Sequence, residues 1–229
     1  MEIVVSRYNE DLKWTLQEPF CNYEYTVYNK GNNEHFEKSR VKKIVKLDNV
    51  GKECHTYLYH IIENYENDQL YPITFFIPAS IEIHYKYDKI VKTLEIMRET
   101  ENTQAVFLAE KCENVYEKFH DFQIDYWLGT NENNQQLNSS GYLEPCEYQP
   151  FYRWFDHFFK KEDVIQWWSY NSIFAIDKRD ILQHPKERYE ALIEGLKKGN
   201  NLEEVHYIER VWAAVFYPFN YTVCDNYIQ

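Results

Sequence analysis

The residues best placed to do chemistry lie near the C-terminal end, in the block VHYIERVWAAVFYP over residues 205–218. Leu202, Val205, Ile208, Trp212, Val215 and Phe216 repeat at helical spacing, and on the helical wheel Glu209 falls at the border of their apolar face. His206 stands beside it, one turn earlier. A carboxylate at an apolar edge has to be paired, protonated or used, so Glu209 is either half of a structural salt bridge or a general base. A second group is Arg7-Tyr8-Asn9-Glu10-Asp11, which follows a β-rich run at residues 2–6. Polar residues at the carboxyl end of a strand are where open α/β sheets take ligands, although a solvated loop has the same composition. The third group is Asn49-Val50-Gly51-Lys52-Glu53. Asn49 is suited to cap a helix, Gly51 would leave the helix start bare, and Lys52 adds charge to unpaired backbone N–H groups, which together make an anion site.

Those groups need elements to hold them. Cys54, Tyr57, Leu58, Ile61, Ile62 and Tyr65 predict a helix over residues 50–65 with one buried face. Apolar runs at 43–47 and 73–77 read as strands on either side of it, and 24–28 reads as another, closed by the turn Asn29-Lys30-Gly31. Helical spacing returns at 86–101, and 105–108 reads as a strand. Alternating strands and helices predict a single α/β domain with a mostly parallel, Rossmann-like sheet flanked by helices. Its two halves are residues 1–110 and 111–229.

The second half is less regular. Residues 129–149 are rich in Asn, Gln, Ser and Glu and predict a long loop. The aromatic run that follows contains Trp154, suited to core packing or to stacking on a sugar ring. A strand at 172–176 and helices at 178–183, 187–198 and 202–216 complete the reading, with Gly199 as a helix stop and Asn201 as the last cap.

Composition excludes some classes. The 229 residues carry 25 basic against 37 acidic side chains, a net charge of −12. The scattered lysines argue against nucleic acid as a partner and against docking on an anionic membrane. No apolar run reaches the length of a membrane span, and no signal-peptide pattern opens the chain. Five widely spaced cysteines with no CxxC pair support neither a disulfide framework nor a zinc knuckle. Cytoplasmic residence is the simplest expectation, and the sequons at Asn138 and Asn220 would then go unused.

The blocks VVSRYNEDLKW (4–14), VYNKG (27–31), NVGKECHTYLYHIIENY (49–65), SIFAIDKRDILQHPKERYEALI (172–193) and VHYIERVWAAVFYP resemble an uncharacterised domain-of-unknown-function family of large DNA viruses, algae, fungi and some bacteria. The resemblance runs in order along nearly the whole chain, but that family has no general activity to carry over. The strand-end polar cluster, the N-x-G turn opening a helix and the following strand are also similar to the nucleotide-binding half of GT-A glycosyltransferases. That similarity implies a nucleotide-sugar donor, a glycan or protein acceptor, and Mn²⁺ or Mg²⁺ on an Asp-x-Asp after the next strand. Here that place reads Ile77-Pro78-Ala79-Ser80-Ile81-Glu82-Ile83-His84, with no Asp-x-Asp. Glu82 and His84 are either substitute metal ligands or surface residues.

Carried onto these positions, the resemblance implies that Arg7, Asn9, Glu10 and Asp11 meet the nucleoside and that Asn49, Gly51, Lys52 and Glu53 surround the diphosphate. Trp154 and Arg210 complete the substrate contacts, Glu209 is the general base, and His206 is a metal ligand or acceptor contact. A catalytically silent relative that keeps the fold for binding or structure, for example in a virus particle, is the alternative class.

Overall fold

The computed structural model describes residues 1–66, 69–129 and 140–228. Its strands are β1 (Glu2–Arg7), β2 (Tyr25–Asn29), β3 (Val41–Lys46), β4 (Ile73–Pro78), β5 (Ala105–Lys111), β6 (Trp167–Trp168), β7 (Phe174–Asp177) and β8 (Thr222–Asn226). The main sheet runs β3-β2-β1-β4-β7. The first four strands are parallel, and β7 is antiparallel to β4, with Phe76 opposite Phe174. In β1, Ile3, Val4 and Val5 are all buried, as expected when both faces of a parallel sheet are covered. Ile3 and Val5 join the cluster that includes Ile90, Leu94 and Met97 of α2 (His84–Glu99). Val4 points the other way, into the cluster built on α1 (Lys52–Asn64). β3 closes the sheet with the exposed Lys42 and Lys43, a composition that discourages edge-to-edge pairing.

The strand expected at 105–108 exists as β5, but it belongs to a second sheet ordered β6-β5-β8. There it runs parallel to β8 and antiparallel to β6. β8 has no sequence signal, because only Thr222 of its five residues is buried and nothing alternates. The expected loop at 129–149 lies partly outside the described residues. Its end is tied down through the bridges Tyr126–Tyr142 and Glu144–Leu202.

The remaining helices are α3 (Val115–Lys118), α4 (Phe151–Phe158), α5 (Lys178–Leu182), α6 (Lys186–Leu196) and α7 (Glu203–Phe216). No helix among the described residues is long and apolar enough to cross a membrane.

Both expected caps are replaced. Asn49 does not cap α1: Gly51 takes that position at φ 55° and its N–H donates to the Gly199 carbonyl at 2.7 Å. A Cβ on Gly51 would sit 2.6 Å from that of Leu196, so the approach of α6 requires glycine as well as the positive φ. Asn201 does not cap α7 either; it donates to the Tyr142 carbonyl at 2.7 Å, and Leu202 takes the cap position without a side-chain bond.

The acids in the first turn of α7 are taken up elsewhere. Buried Glu203 accepts the N–H groups of Ile124 (3.0 Å) and Cys146 (2.9 Å) and the Tyr207 hydroxyl (2.6 Å). Glu204 accepts the indole N–H of Trp154 at 2.8 Å. Trp154 is thus fully buried among Phe151, Phe158, Phe159 and Tyr207, so it is a core residue and not a sugar platform.

The centre of the core is Phe174 on β7, whose ring lies 4.9–6.0 Å from those of Tyr57, Phe76, Phe107, Trp212 and Phe216. It joins both sheets to α1 and α7. Phe174→Ala is expected to lower the unfolding free energy by about 3–5 kcal/mol, measured by urea denaturation. A loss within the range of a surface substitution would contradict this central role.

Candidate functional site

β1 is the point at which the main sheet changes direction, since the chain proceeds to β2 and β3 on one side and to β4 on the other. Open α/β sheets bind ligands in the crevice outside the carboxyl ends of the strands at such a switch point. A cleft of about 440 Å³ opens there. Its walls are Ser6, Arg7, Tyr8 and Glu10 at and beyond the end of β1, Pro78 and Ser80 at and beyond the end of β4, and Asn49, Lys52 and Glu53 at the start of α1. Lys86 of α2, Trp127, Tyr170 and Asn171 complete it, with His206, Glu209 and Arg210 of α7. The three groups picked out in the sequence therefore converge on one cleft. Asn9, Asp11 and Gly51 are not among the residues lining it.

The floor after β1 is set by Arg7, which is fully buried. Its Nη1 donates to the Asn29 side-chain oxygen (2.6 Å) and to the carbonyls of Asn33 (2.7 Å) and Tyr8 (3.1 Å), and its Nε to the Glu10 carbonyl (2.7 Å). The guanidinium also covers the Phe36 ring at 3.9 Å. Arg7 therefore holds the loop in shape. The Glu10 carboxylate accepts the N–H groups of Tyr8 (2.8 Å) and Asn9 (3.1 Å), while Asp11 pairs with Lys13 at the surface, 2.7 Å away.

The turn into α1 is braced by Lys30, which the sequence marked only as part of the turn after β2. Its ammonium, nearly sealed from solvent, donates to the carbonyls of Val50 (2.5 Å) and Lys52. Burial pulls its pKa down to about 7. Lys52, held at φ 46°, lays its ammonium 3.5 Å over the Trp127 ring and has no hydrogen-bond partner among the described residues. Burial lowers its pKa too.

Opposite lies Glu209. Its Oε1 accepts the Asn171 N–H at 2.7 Å, and its Oε2 is 3.8 Å from both His206 Nδ1 and Arg210 Nη1. Burial, then the charge of Glu53, raises its pKa. Burial pushes that of His206 down to about 3, helped by the charges of Lys52 and Arg210, so the imidazole is neutral. Its Nε2 has no partner among the described residues, and neither has Arg210 Nε.

The backbone around Glu209 is strained. Asn171 (φ 72°) and Ser172 (φ 47°) are consecutive non-glycine residues in the left-handed region, each costing about 1–3 kcal/mol. Glu209 on Asn171, Trp212 Nε1 on the Ser172 hydroxyl (3.0 Å) and the buried Lys89 on the Tyr170 carbonyl (3.3 Å) keep the turn in place. α7 itself kinks just beyond, at Val211 (φ −120°, ψ 22°).

The residues considered as metal ligands do not come together. Glu82 and His84 are exposed and do not line the cleft, and His84 pairs with Asp88 at 2.9 Å. No group of three His, Cys, Asp or Glu side chains among the described residues is arranged to hold a metal ion. After β4, where the resemblance implies acidic ligands, Ser80 offers a hydroxyl that already accepts a hydrogen bond from Lys86 Nζ at 3.0 Å. These donors do not fit a hard divalent cation, which is held chiefly by carboxylates.

The sequence reading missed Lys30, Ser80, Lys86, Trp127, Tyr170 and Asn171. Only Lys30 had a local signal, the turn to Gly31, whose added Cβ would lie 1.8 Å from the Tyr8 carbonyl oxygen.

One family model matches the chain, over residues 3–229, and it is described as Protein of unknown function (DUF3431). No curated protein and no solved structure matches.

His206 should leave a mark on the pH dependence of stability. Its folded pKa of about 3 lies below the ordinary value of about 6.5. Between those values the unfolded chain takes up a proton that the native site refuses. Stability is therefore expected to fall on acidification below about pH 6.5, by about 1.4 kcal/mol per pH unit for this group. His60, also held near 3, acts in the same sense, whereas the raised Glu209 acts against it. His206→Gln should consequently lose less stability than the parent between pH 7 and pH 5 in urea denaturation; an unchanged slope would show the imidazole is not held neutral.

Proposed function

We propose that this chain, which belongs to the family described as Protein of unknown function (DUF3431), is a glycosyltransferase that takes a nucleotide sugar into the switch-point cleft and transfers the sugar to a hydroxyl of a glycan or protein acceptor. One observation carries the reading: in a protein of net charge −12, this cleft collects Arg7, Lys30, Lys52, Lys86 and Arg210 against three carboxylates. A local positive field in an acidic protein selects a compact anion and disfavours nucleic acid, which would need a basic face.

The roles follow from the positions. The Tyr8–Glu10 loop, shaped by Arg7, receives the nucleoside. Lys52, Lys86 and Arg210 face the diphosphate. Glu209 accepts the proton of the acceptor hydroxyl as it attacks, because partial burial raises a carboxylate toward the pKa such a transfer needs, and the Asn171 N–H fixes its direction. Neutral His206 offers Nε2 to the acceptor.

A second reading, a silent module that binds the same ligand without turnover, is favoured by the missing acidic pair after β4. Both readings expect binding. In a thermal-shift panel of nucleotide sugars, one ligand should stabilise the protein, by about 2.7 kcal/mol when present at 100 times its Kd. A panel with no stabilising member would sink both.

Glu209→Gln separates the two readings. The glutamine oxygen still accepts the Asn171 N–H, and Arg210 keeps its bond to the His206 carbonyl and its place over the Phe122 ring, so the melting temperature should stay close to that of the parent. Turnover should drop by about 10²–10⁴-fold. A destabilised mutant with normal specific activity would retire Glu209 from catalysis.

A further inference from the structure

We infer that the cleft takes the diphosphate of its ligand without a divalent cation, with the ammonium of Lys86 standing beside the end of β4 where the resemblance implies the metal. This rests on the nucleotide-sugar reading and adds to it how the phosphates are neutralised. Three observations support it. First, among the residues after β4 that line the cleft, Ser80 supplies a hydroxyl and none supplies a carboxylate, and that hydroxyl is bound by Lys86. A metal there would have to displace one cation with another while finding no carboxylate on the segment after β4 that lines the cleft.

Second, Arg210 is more than nine-tenths buried, lines the cleft, and leaves its Nε without a partner among the described residues. Lys52 likewise leaves its ammonium without a hydrogen bond. Donors buried with unmet capacity are costly unless something enters to accept from them.

Third, these cations line one cleft, with Lys52 and Arg210 both near His206. Lys86 lowers the pKa of Lys52, and Lys52 and Arg210 both lower that of His206. Like charges gathered in one concavity repel, and a ligand carrying two adjacent phosphates relieves the repulsion. At Lys52 the carboxylates of Glu53 and Glu209 each act more strongly than Lys86, so the relief falls chiefly to Lys86 and Arg210. The site is thus charged for a small polyanion, and its own side chains provide the countercharge that a metal would otherwise bring.

The test is calorimetric titration of the full chain with UDP, GDP, ADP and CDP, the matching nucleosides and inorganic pyrophosphate, in EDTA and again in Mn²⁺. The expected result is that at least one nucleoside diphosphate binds as tightly in EDTA as in Mn²⁺, and more tightly than its nucleoside. Lys86→Gln should weaken that binding roughly 10- to 100-fold, the value of a hydrogen bond to a charged group, while Lys86→Arg retains most of it. Thermal melts of both variants establish that they fold.

Binding seen only with Mn²⁺ would overturn the metal-free inference and leave the nucleotide-sugar reading standing. Metal-free binding indifferent to Lys86→Gln would also overturn it, by removing Lys86 from the phosphates. Pyrophosphate bound as tightly as every nucleoside diphosphate would keep the anion site and take away the nucleoside. No binding under either condition would end both readings.

Discussion

A buried guanidinium organises the end of β1, and the cleft depends on it. Arg7 is enclosed by carbonyls from Tyr8, Glu10 and Asn33 and by the Asn29 side chain. Those acceptors belong to the loop after β1, to the last residue of β2 and to the loop after it, so a single side chain fixes how the two strand ends present themselves. Without it these partly buried carbonyls would lose the one side chain that ties them together. Lys30 repeats the device one strand over, where its ammonium gathers the carbonyls of the turn into α1. Two basic residues thus build the floor and hold the walls that other basic residues then line.

The consequence is a site rich in positive charge inside a protein that is negative overall. Such a cleft focuses field on whatever enters it, since low-dielectric walls carry the field lines into the opening. Burial works against those charges, and the depressed pKa values of Lys30 and Lys52 record the tension. The same desolvation lifts the Glu209 carboxylate. One environment therefore acts on the cations and on the carboxylate together, a combination that the proposed sugar transfer from a diphosphate donor would use.

Strain gathers on the Glu209 side. The left-handed pair Asn171–Ser172 and the break in α7 at Val211 flank the carboxylate. Conformations of this kind persist only where surrounding bonds over-determine them, and here Glu209, Trp212 and Lys89 supply those bonds. Glu209 thus has two roles, as tether of the turn and as candidate base. A glutamine can replace it in the first role and not in the second.

The sequence by itself determined the elements whose side chains repeat with a period. The spacing of Cys54, Tyr57, Leu58 and Ile61 specifies α1, and the unbroken Ile3-Val4-Val5 run specifies a strand covered on both faces, because periodicity reports burial directly. It also brought residues near 7, 49 and 209 under suspicion, since polar groups at strand ends and helix borders are cheap to notice. The tertiary structure decided what those residues face. That Trp154 packs in the core, that Glu82 and His84 point to solvent, and that Lys86 reaches Ser80 depend on where distant elements dock. The antiparallel addition of β7 at the edge beside β4 and the placing of β5 in a second sheet follow from long-range pairing, which leaves no local trace in a short apolar run. Local spacing encodes which face of an element is buried; only packing encodes what lies against it.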